Sequence, residues 1–204
     1  PNSQLLSLEG KTAIVTGGAM GIGEGIVKRL FEAKVNVVVA DLRSDLARQS
    51  FQRLGFGKEE AEEHFIRVDV SYSQSVDSGF ERAVERFGGV DILVNNAGIY
   101  PTKSIVAMTD DEWRKVLQTN LSGAFFTNRA VAREMIEQER GGRIINIGSV
   151  CSVQPWRAGM AAYDASKAGI LGFSRNLALE LAPYRITVNV IGPGEIDTPG
   201  STGG

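Results

Sequence analysis

Short runs of apolar, largely β-branched residues recur along the chain, separated by stretches in which apolar positions fall at helical spacing. Six runs read as strands: residues 12–16, 35–40, 65–70, 91–95, 143–147 and 186–191. They are continuous rather than alternating, the pattern of parallel strands covered on both faces. Between them, Ile22, Ile26, Val27, Leu30 and Phe31 make one apolar helical stripe. Thr109 and Glu112 form a capping box that opens a long helix through Trp113, Val116, Leu117 and Phe125. A third helix is predicted over residues 160–182, stopped by Pro183. Strands alternating with helices in this way require right-handed crossovers. The predicted fold is α/β: a doubly wound, mostly parallel sheet of Rossmann type, with helices on both faces and a single domain.

Composition narrows the picture. The 204 residues are 43% hydrophobic, enough for one well-buried core. Lys and Arg number 22 against 24 Asp and Glu, a net charge of −2, which gives no electrostatic case for nucleic acid or an anionic membrane as partner. No apolar stretch is long enough to span a bilayer. One cysteine, Cys151, cannot form an internal disulfide, so a cytoplasmic location is expected. No Cys/His cluster or patterned carboxylates suit a metal, and none is expected. The only histidine, His64, is expected at the surface, and Cys151 as a small packing residue.

The most informative segment is Thr16-Gly17-Gly18-Ala19-Met20-Gly21-Ile22-Gly23, at the junction of the first strand and first helix. Glycines there let the backbone turn tightly and approach a pyrophosphate, whose charge is favoured at a helix N-terminus. Asp41 ends the second strand. Its carboxylate can accept hydrogen bonds from ribose hydroxyls and repel a 2′-phosphate, so NAD is expected over NADP. Met20 brings no positive charge, while Arg43, two residues beyond Asp41, leaves NADP as the less favoured alternative.

Tyr163 and Lys167 lie four residues apart on the third helix and share a face. A tyrosine, with an ordinary pKa of about 10, works as acid or base near neutrality if a nearby cation lowers it by roughly 3 units. Asn95-Asn96-Ala97-Gly98, Ser149 and Pro193-Gly194-Glu195-Ile196-Asp197-Thr198 all follow strand ends, where ligands bind in open parallel sheets. Asn120 lies inside the long helix.

Taken in order, these elements resemble the short-chain dehydrogenase/reductase family over nearly the whole chain. Thr16, Gly17, Gly21 and Gly23 match its glycine pattern, residues 95–98 its Asn-Asn-Ala-Gly element, and Tyr163 with Lys167 its Tyr-x-x-x-Lys. The resemblance implies an NAD-dependent alcohol dehydrogenase or ketone reductase with Asn120, Ser149, Tyr163 and Lys167 as its catalytic residues. Tyr163 is the implied general acid/base. Lys167 lowers its pKa, Ser149 binds the substrate oxygen, and Asn120 holds a water on a proton path. The implied dinucleotide contacts are Gly17, Gly21, Ile22, Gly23, Asp41, Asp69, Val70, Asn95, Ala97, Gly98, Tyr163, Lys167, Pro193, Gly194, Ile196 and Thr198. Asp69 and Val70 are assigned to adenine, Ile196 and Thr198 to the nicotinamide carboxamide.

Other readings remain open at this point: an NAD-binding regulator or scaffold without turnover, a sugar-nucleotide epimerase or dehydratase, and a lyase or dehalogenase on the same fold. Tyr100, Pro101 and residues 150–157, with Pro155 and Trp156, are expected to line a pocket for an apolar or ring-bearing alcohol or ketone. The 160–182 helix is apolar nearly all round, which with the resemblance implies a homo-oligomer, a tetramer by analogy. Residues 1–204 read as one dinucleotide-binding and catalytic domain whose C-terminal part is expected to be missing, the working enzyme continuing beyond Gly204.

Overall fold

A computed structural model describes residues 8–198; the 199–204 tail and any continuation past it lie outside the described residues. Among these residues six parallel strands form one sheet: β1 (Thr12–Thr16), β2 (Asn36–Asp41), β3 (Phe65–Arg67), β4 (Ile92–Asn95), β5 (Gly142–Ile147) and β6 (Ile186–Ile191). Their spatial order is β3-β2-β1-β4-β5-β6. The chain therefore winds outward from β1 in one direction, returns, and winds outward from β4 in the other. The fold is a doubly wound α/β domain with its switch point between β1 and β4.

Among the described residues seven α-helices connect the strands: α1 (Gly21–Glu32), α2 (Ser44–Leu54), α3 (Lys58–Glu63), α4 (Ser73–Phe87), α5 (Asp110–Leu117), α6 (Gly123–Glu137) and α7 (Ala161–Leu181). Successive strand residues serve opposite faces. Ile14, Val38, Leu93 and Ile144 join α4, α6 and α7 through Phe80, Val131, Met135 and Leu181. Ala13, Val15, Val37, Val39 and Val94 join α1, α2 and α3 through Val27, Phe51 and Ala61. This two-sided burial is the reason the strands read as unbroken apolar runs.

Several elements depart from expectation. The strand predicted over 65–70 pairs only over Phe65–Arg67, because the chain leaves the ladder as it turns towards α4. The long helix predicted from the Thr109 box does form its cap, with the Glu112 N–H donating to Thr109 Oγ1 at 3.2 Å and the Thr109 N–H to Glu112 Oε2 at 2.8 Å. It is then interrupted by a π-helical turn over Gln118–Ser122. The helix predicted over 160–182 does form, as α7, and ends at Leu181 ahead of Pro183; the proline sits within a 3₁₀ turn, Ala182–Tyr184, which ends at Arg185 in the left-handed region with φ 60°.

Strand β6 is less enclosed than its run implied. Ile186 and Val188 are buried, whereas Thr187 and Asn189 are exposed and Ile191 is 53% exposed. Among the described residues, only one of its faces is covered by helices. His64 is not the solvated surface residue expected. It is half-buried, its ring lies 5.2 Å from those of Phe56 and Phe87, and Nδ1 is 2.7 Å from the Val37 carbonyl oxygen.

Candidate active site

The glycine turn between β1 and α1 is packed too closely for other residues. Gly17 has φ 62°, and a Cβ there would come within 2.9 Å of the Ala97 backbone. A Cβ on Gly23 would lie 2.1 Å from the Gly17 carbonyl oxygen. Gly23 therefore lets α1 lie against the turn and does not itself line the cleft. Met20, at the N-cap of α1, makes no side-chain cap, and the helix N-terminus opens beside the cleft, where a pyrophosphate is favoured.

Asp41 closes the far side of the turn. One carboxylate oxygen accepts the Ala19 N–H at 3.1 Å and the other the Arg43 N–H at 2.9 Å. The Arg43 guanidinium makes two hydrogen bonds to Asp45, at 3.0 and 2.8 Å. That pairing holds the Asp45 carboxyl well below its usual range, at about 2.

A cleft of about 1250 Å³ runs from this turn across the carboxyl ends of the strands. It exceeds the ~300–1,000 Å³ of ordinary small-molecule pockets and suits an extended ligand. Gly17, Gly21, Ile22, Asp41, Asp69, Val70, Ala97, Gly98, Ser149, Tyr163, Lys167, Pro193, Gly194 and Thr198 all line it. The fold thus gathers fourteen of the expected site residues in one continuous groove. Tyr100 also lines it and Pro101 lines a smaller adjoining cavity, whereas none of residues 150–157, Pro155 and Trp156 included, lines either.

Gly23, Asn95, Asn120 and Ile196 are not among the lining residues. Asn95 is buried beneath the cleft. It donates to the Ala124 carbonyl and to Asn146 Oδ1, both at 3.3 Å, and accepts the Thr16 hydroxyl at 3.1 Å. Asn120 sits in the π turn, its Oδ1 accepting the Ile99 N–H at 2.8 Å. Its Nδ2 donates to the Ile99 carbonyl at 2.8 Å and to Ser166 Oγ at 3.0 Å. Both side-chain donors are thus used inside the protein. Ser166 Oγ in turn donates to the Tyr163 carbonyl at 2.6 Å, tying the π turn to α7. Ile196 is 47% exposed.

Two residues of these motifs that were not among the expected contacts hold the turn in place. Asn96 Nδ2 donates to the Thr16 and Gly17 carbonyls at 3.1 and 2.9 Å. Thr16 Oγ1 accepts the N–H groups of Asn96 and Ala97, both at 3.0 Å. Their position in the Asn-Asn-Ala-Gly element and at the end of β1 was the available signal.

At the other end of the cleft, Ser149 caps a 3₁₀ turn over Val150–Ser152, its Oγ accepting the Cys151 N–H at 3.1 Å. Tyr163 and Lys167 project from the first two turns of α7. Lys167 is 4% exposed; Nζ donates to the Ile147 carbonyl at 2.7 Å and lies 5.7 Å from the centre of the Tyr163 ring. Burial pulls its pKa down to about 8.

Tyr163 does not show the lowered pKa expected of it. Burial pushes it above the usual tyrosine value, a hydrogen bond with Ser149 pulls the other way, and Cys151, Asp164 and Tyr100 add to the rise. The Lys167 ammonium is turned to the Ile147 carbonyl, so the protein alone keeps this hydroxyl protonated.

The family described as short chain dehydrogenase matches residues 11–203. The chain belongs to the short-chain dehydrogenase family. It is 42% identical over 193 residues to the 3-oxoacyl-[acyl-carrier-protein] reductase FabG of Salmonella typhimurium, covering 95% of this chain and 76% of that protein. The protein of the same name from Aquifex aeolicus is 36% identical over 193 residues, with 95% of this chain and 77% of that one covered. Among solved structures, a short-chain type dehydrogenase/reductase from Mycobacterium marinum superposes with a TM-score of 0.87 at 32% identity, covering 94% of this chain and 75% of that one. As a member of this family the chain is an oxidoreductase. No helix of the described residues is long and apolar enough to cross a membrane.

Proposed function

We propose that the protein interconverts a carbonyl compound and an alcohol using NAD(H), with Ser149, Tyr163 and Lys167 at the reacting end of the cleft. The observation that carries this reading is their convergence at one end of a groove whose other end is formed by the glycine turn and Asp41. A bound nicotinamide supplies or accepts the hydride. Tyr163, held protonated by its burial, donates its hydroxyl proton to the carbonyl oxygen in the reductive direction. Ser149 donates a hydrogen bond to the same oxygen as charge develops on it. Lys167, buried behind the tyrosine, offers the positive charge that favours the phenolate when the proton must return.

NAD is favoured because Asp41 faces the glycine turn and lines the cleft, while the nearest basic residue on its strand end, Arg43, is engaged by Asp45. The similarity to 3-oxoacyl-[acyl-carrier-protein] reductases supports a ketone as the physiological substrate and brings a 3-oxoacyl thioester within the same reading. We place the enzyme in the cytoplasm, as a homo-oligomer, most simply a tetramer. Phe125 on α6 is 42% exposed and Leu179 on α7 is 77% exposed, apolar surface that a second copy would cover.

The test of the chemistry is Tyr163→Phe, which removes one hydroxyl. Turnover of a ketone followed by NADH absorbance should fall at least ~100-fold, with the circular dichroism spectrum unchanged. A variant that keeps near-parental kcat would refute the assignment.

A further inference from the structure

Resting on that reading of the site, we propose that Arg157 selects substrates carrying an anionic group, a carboxylate or phosphate remote from the reacting carbonyl. Two loops flank the Tyr163 end of the cleft, with Arg157 itself lying outside the residues that line it. The first follows β4 and includes Tyr100, whose ring centre lies 6.4 Å from that of Tyr163. The second leads from Ser149 into α7. They are joined by the Lys103 N–H donating to the Gly159 carbonyl at 2.9 Å. Gly159 is packed against Thr102, where a Cβ would lie 2.9 Å from the threonine methyl.

Arg157 bridges the same two loops. One terminal nitrogen donates to Thr102 Oγ1 at 3.0 Å, and the guanidinium carbon lies 4.9 Å from the centre of the Trp156 ring. An arginine stacked on an indole and tethered at one nitrogen has lost much of its rotamer freedom before any ligand arrives. Its remaining N–H donors have no protein acceptor among the described residues, and no Asp or Glu there forms an ion pair with it. The other cation of these loops, Lys103, is neutralised by Glu112 at 2.7 Å. One loop cation is thus matched within the protein, while the other is ordered but unmatched. A planar fork of donors in that state suits the two oxygens of a carboxylate or phosphate.

Two sources of that anion are chemically distinct, a free oxo acid and the phosphate of a phosphopantetheine thioester. The experiment compares kcat/KM with NADH within matched pairs: an oxo acid against its methyl ester, and a 3-oxoacyl phosphopantetheine thioester against its phosphate-free N-acetylcysteamine counterpart. In at least one pair the parent enzyme should favour the anion by roughly tenfold. Arg157→Gln should bring that ratio close to one, chiefly through KM, and Arg157→Lys should retain part of it, since charge survives without the fork. The responding pair identifies the anion. Parent ratios at or below one in both pairs, or a ratio that Arg157→Gln leaves unchanged, would overturn the proposal. Tyr163→Phe separates the two readings: it should slow both members of a pair equally. If it does not slow them while the ratio still responds to Arg157, the assignment of the chemistry fails and the anion selection stands.

Discussion

Lys167 is the residue on which stability and chemistry conflict most directly. Its ammonium is buried against a carbonyl rather than a carboxylate, and its pKa falls to about 8 from the usual 10.5. That difference corresponds to roughly 3 kcal/mol. Below about pH 8 the folded and unfolded chains both hold the proton, and the folded state carries the full cost of the buried charge. Between about 8 and 10.5 the unfolded chain keeps a proton that the folded one has lost, so stability rises with pH; above that range neither is charged and the cost is gone. Lys167→Met never carries it. Urea unfolding should show this variant more stable than the parent at neutral pH, with the gap shrinking by about 3 kcal/mol towards pH ~10.5. A gap independent of pH would count against the buried charge as its cause. Asp41 yields a second residue-level expectation. The parent should bind NADH more tightly than NADPH, and Asp41→Ala should narrow that difference by about tenfold in Kd, measured by fluorescence titration. Equal affinities in the parent would remove Asp41 as the selector.

At the scale of elements, α1 offers an internal comparison. Gly23 and Gly25 lie on the same helix, but a Cβ on Gly23 meets the Gly17 carbonyl oxygen at 2.1 Å, whereas one on Gly25 meets nothing within 4 Å. Gly23→Ala should force the turn away from the helix, costing about 1–3 kcal/mol and at least about tenfold in NADH affinity. Gly25→Ala should stabilise the protein by up to ~1 kcal/mol through helix propensity. Thermal melts and titration of both variants check this, and similar behaviour in the two would refute the packing argument. The same helix shows why some elements were legible in the sequence. The apolar runs of β1, β2 and β4 are read directly because both their faces are buried. The π turn was not, since Gln118-Thr119-Asn120-Leu121 has ordinary helical composition and only the Asn120 bonds to Ile99 and Ser166 distinguish it. Likewise Asn96 and Thr16 act through hydrogen bonds between positions about eighty residues apart, which no local pattern reveals. The raised pKa of Tyr163 escaped for a related reason: spacing placed Lys167 on its face but not which carbonyl would hold the ammonium.

For the whole molecule, α6 and α7 present a shared face on which Phe125 packs edge-on against Phe173, with Arg129 4.9 Å from the Phe125 ring centre. If a second copy covers this face, light scattering at micromolar concentration should report a multiple of the single-chain mass. Leu179→Glu, charging its most exposed leucine, should shift the equilibrium towards monomer. A parent already monomeric would exclude the assembly. The sheet order has a further consequence, for how the chain is made. Thr16 and Asn95, which pair in the central ladder, are 79 residues apart. During synthesis at about 5–20 residues per second, β1 must therefore wait roughly 4–16 s for its second neighbour to be translated. Over that interval β1 to β3 can assemble from local sequence, but one edge of the most buried strand stays open, apolar and ready to pair with another nascent chain. The stretch between β3 and β4 is thus the period in which ribosome-bound chaperones matter most, and codons that slow translation there should lower the yield of soluble protein.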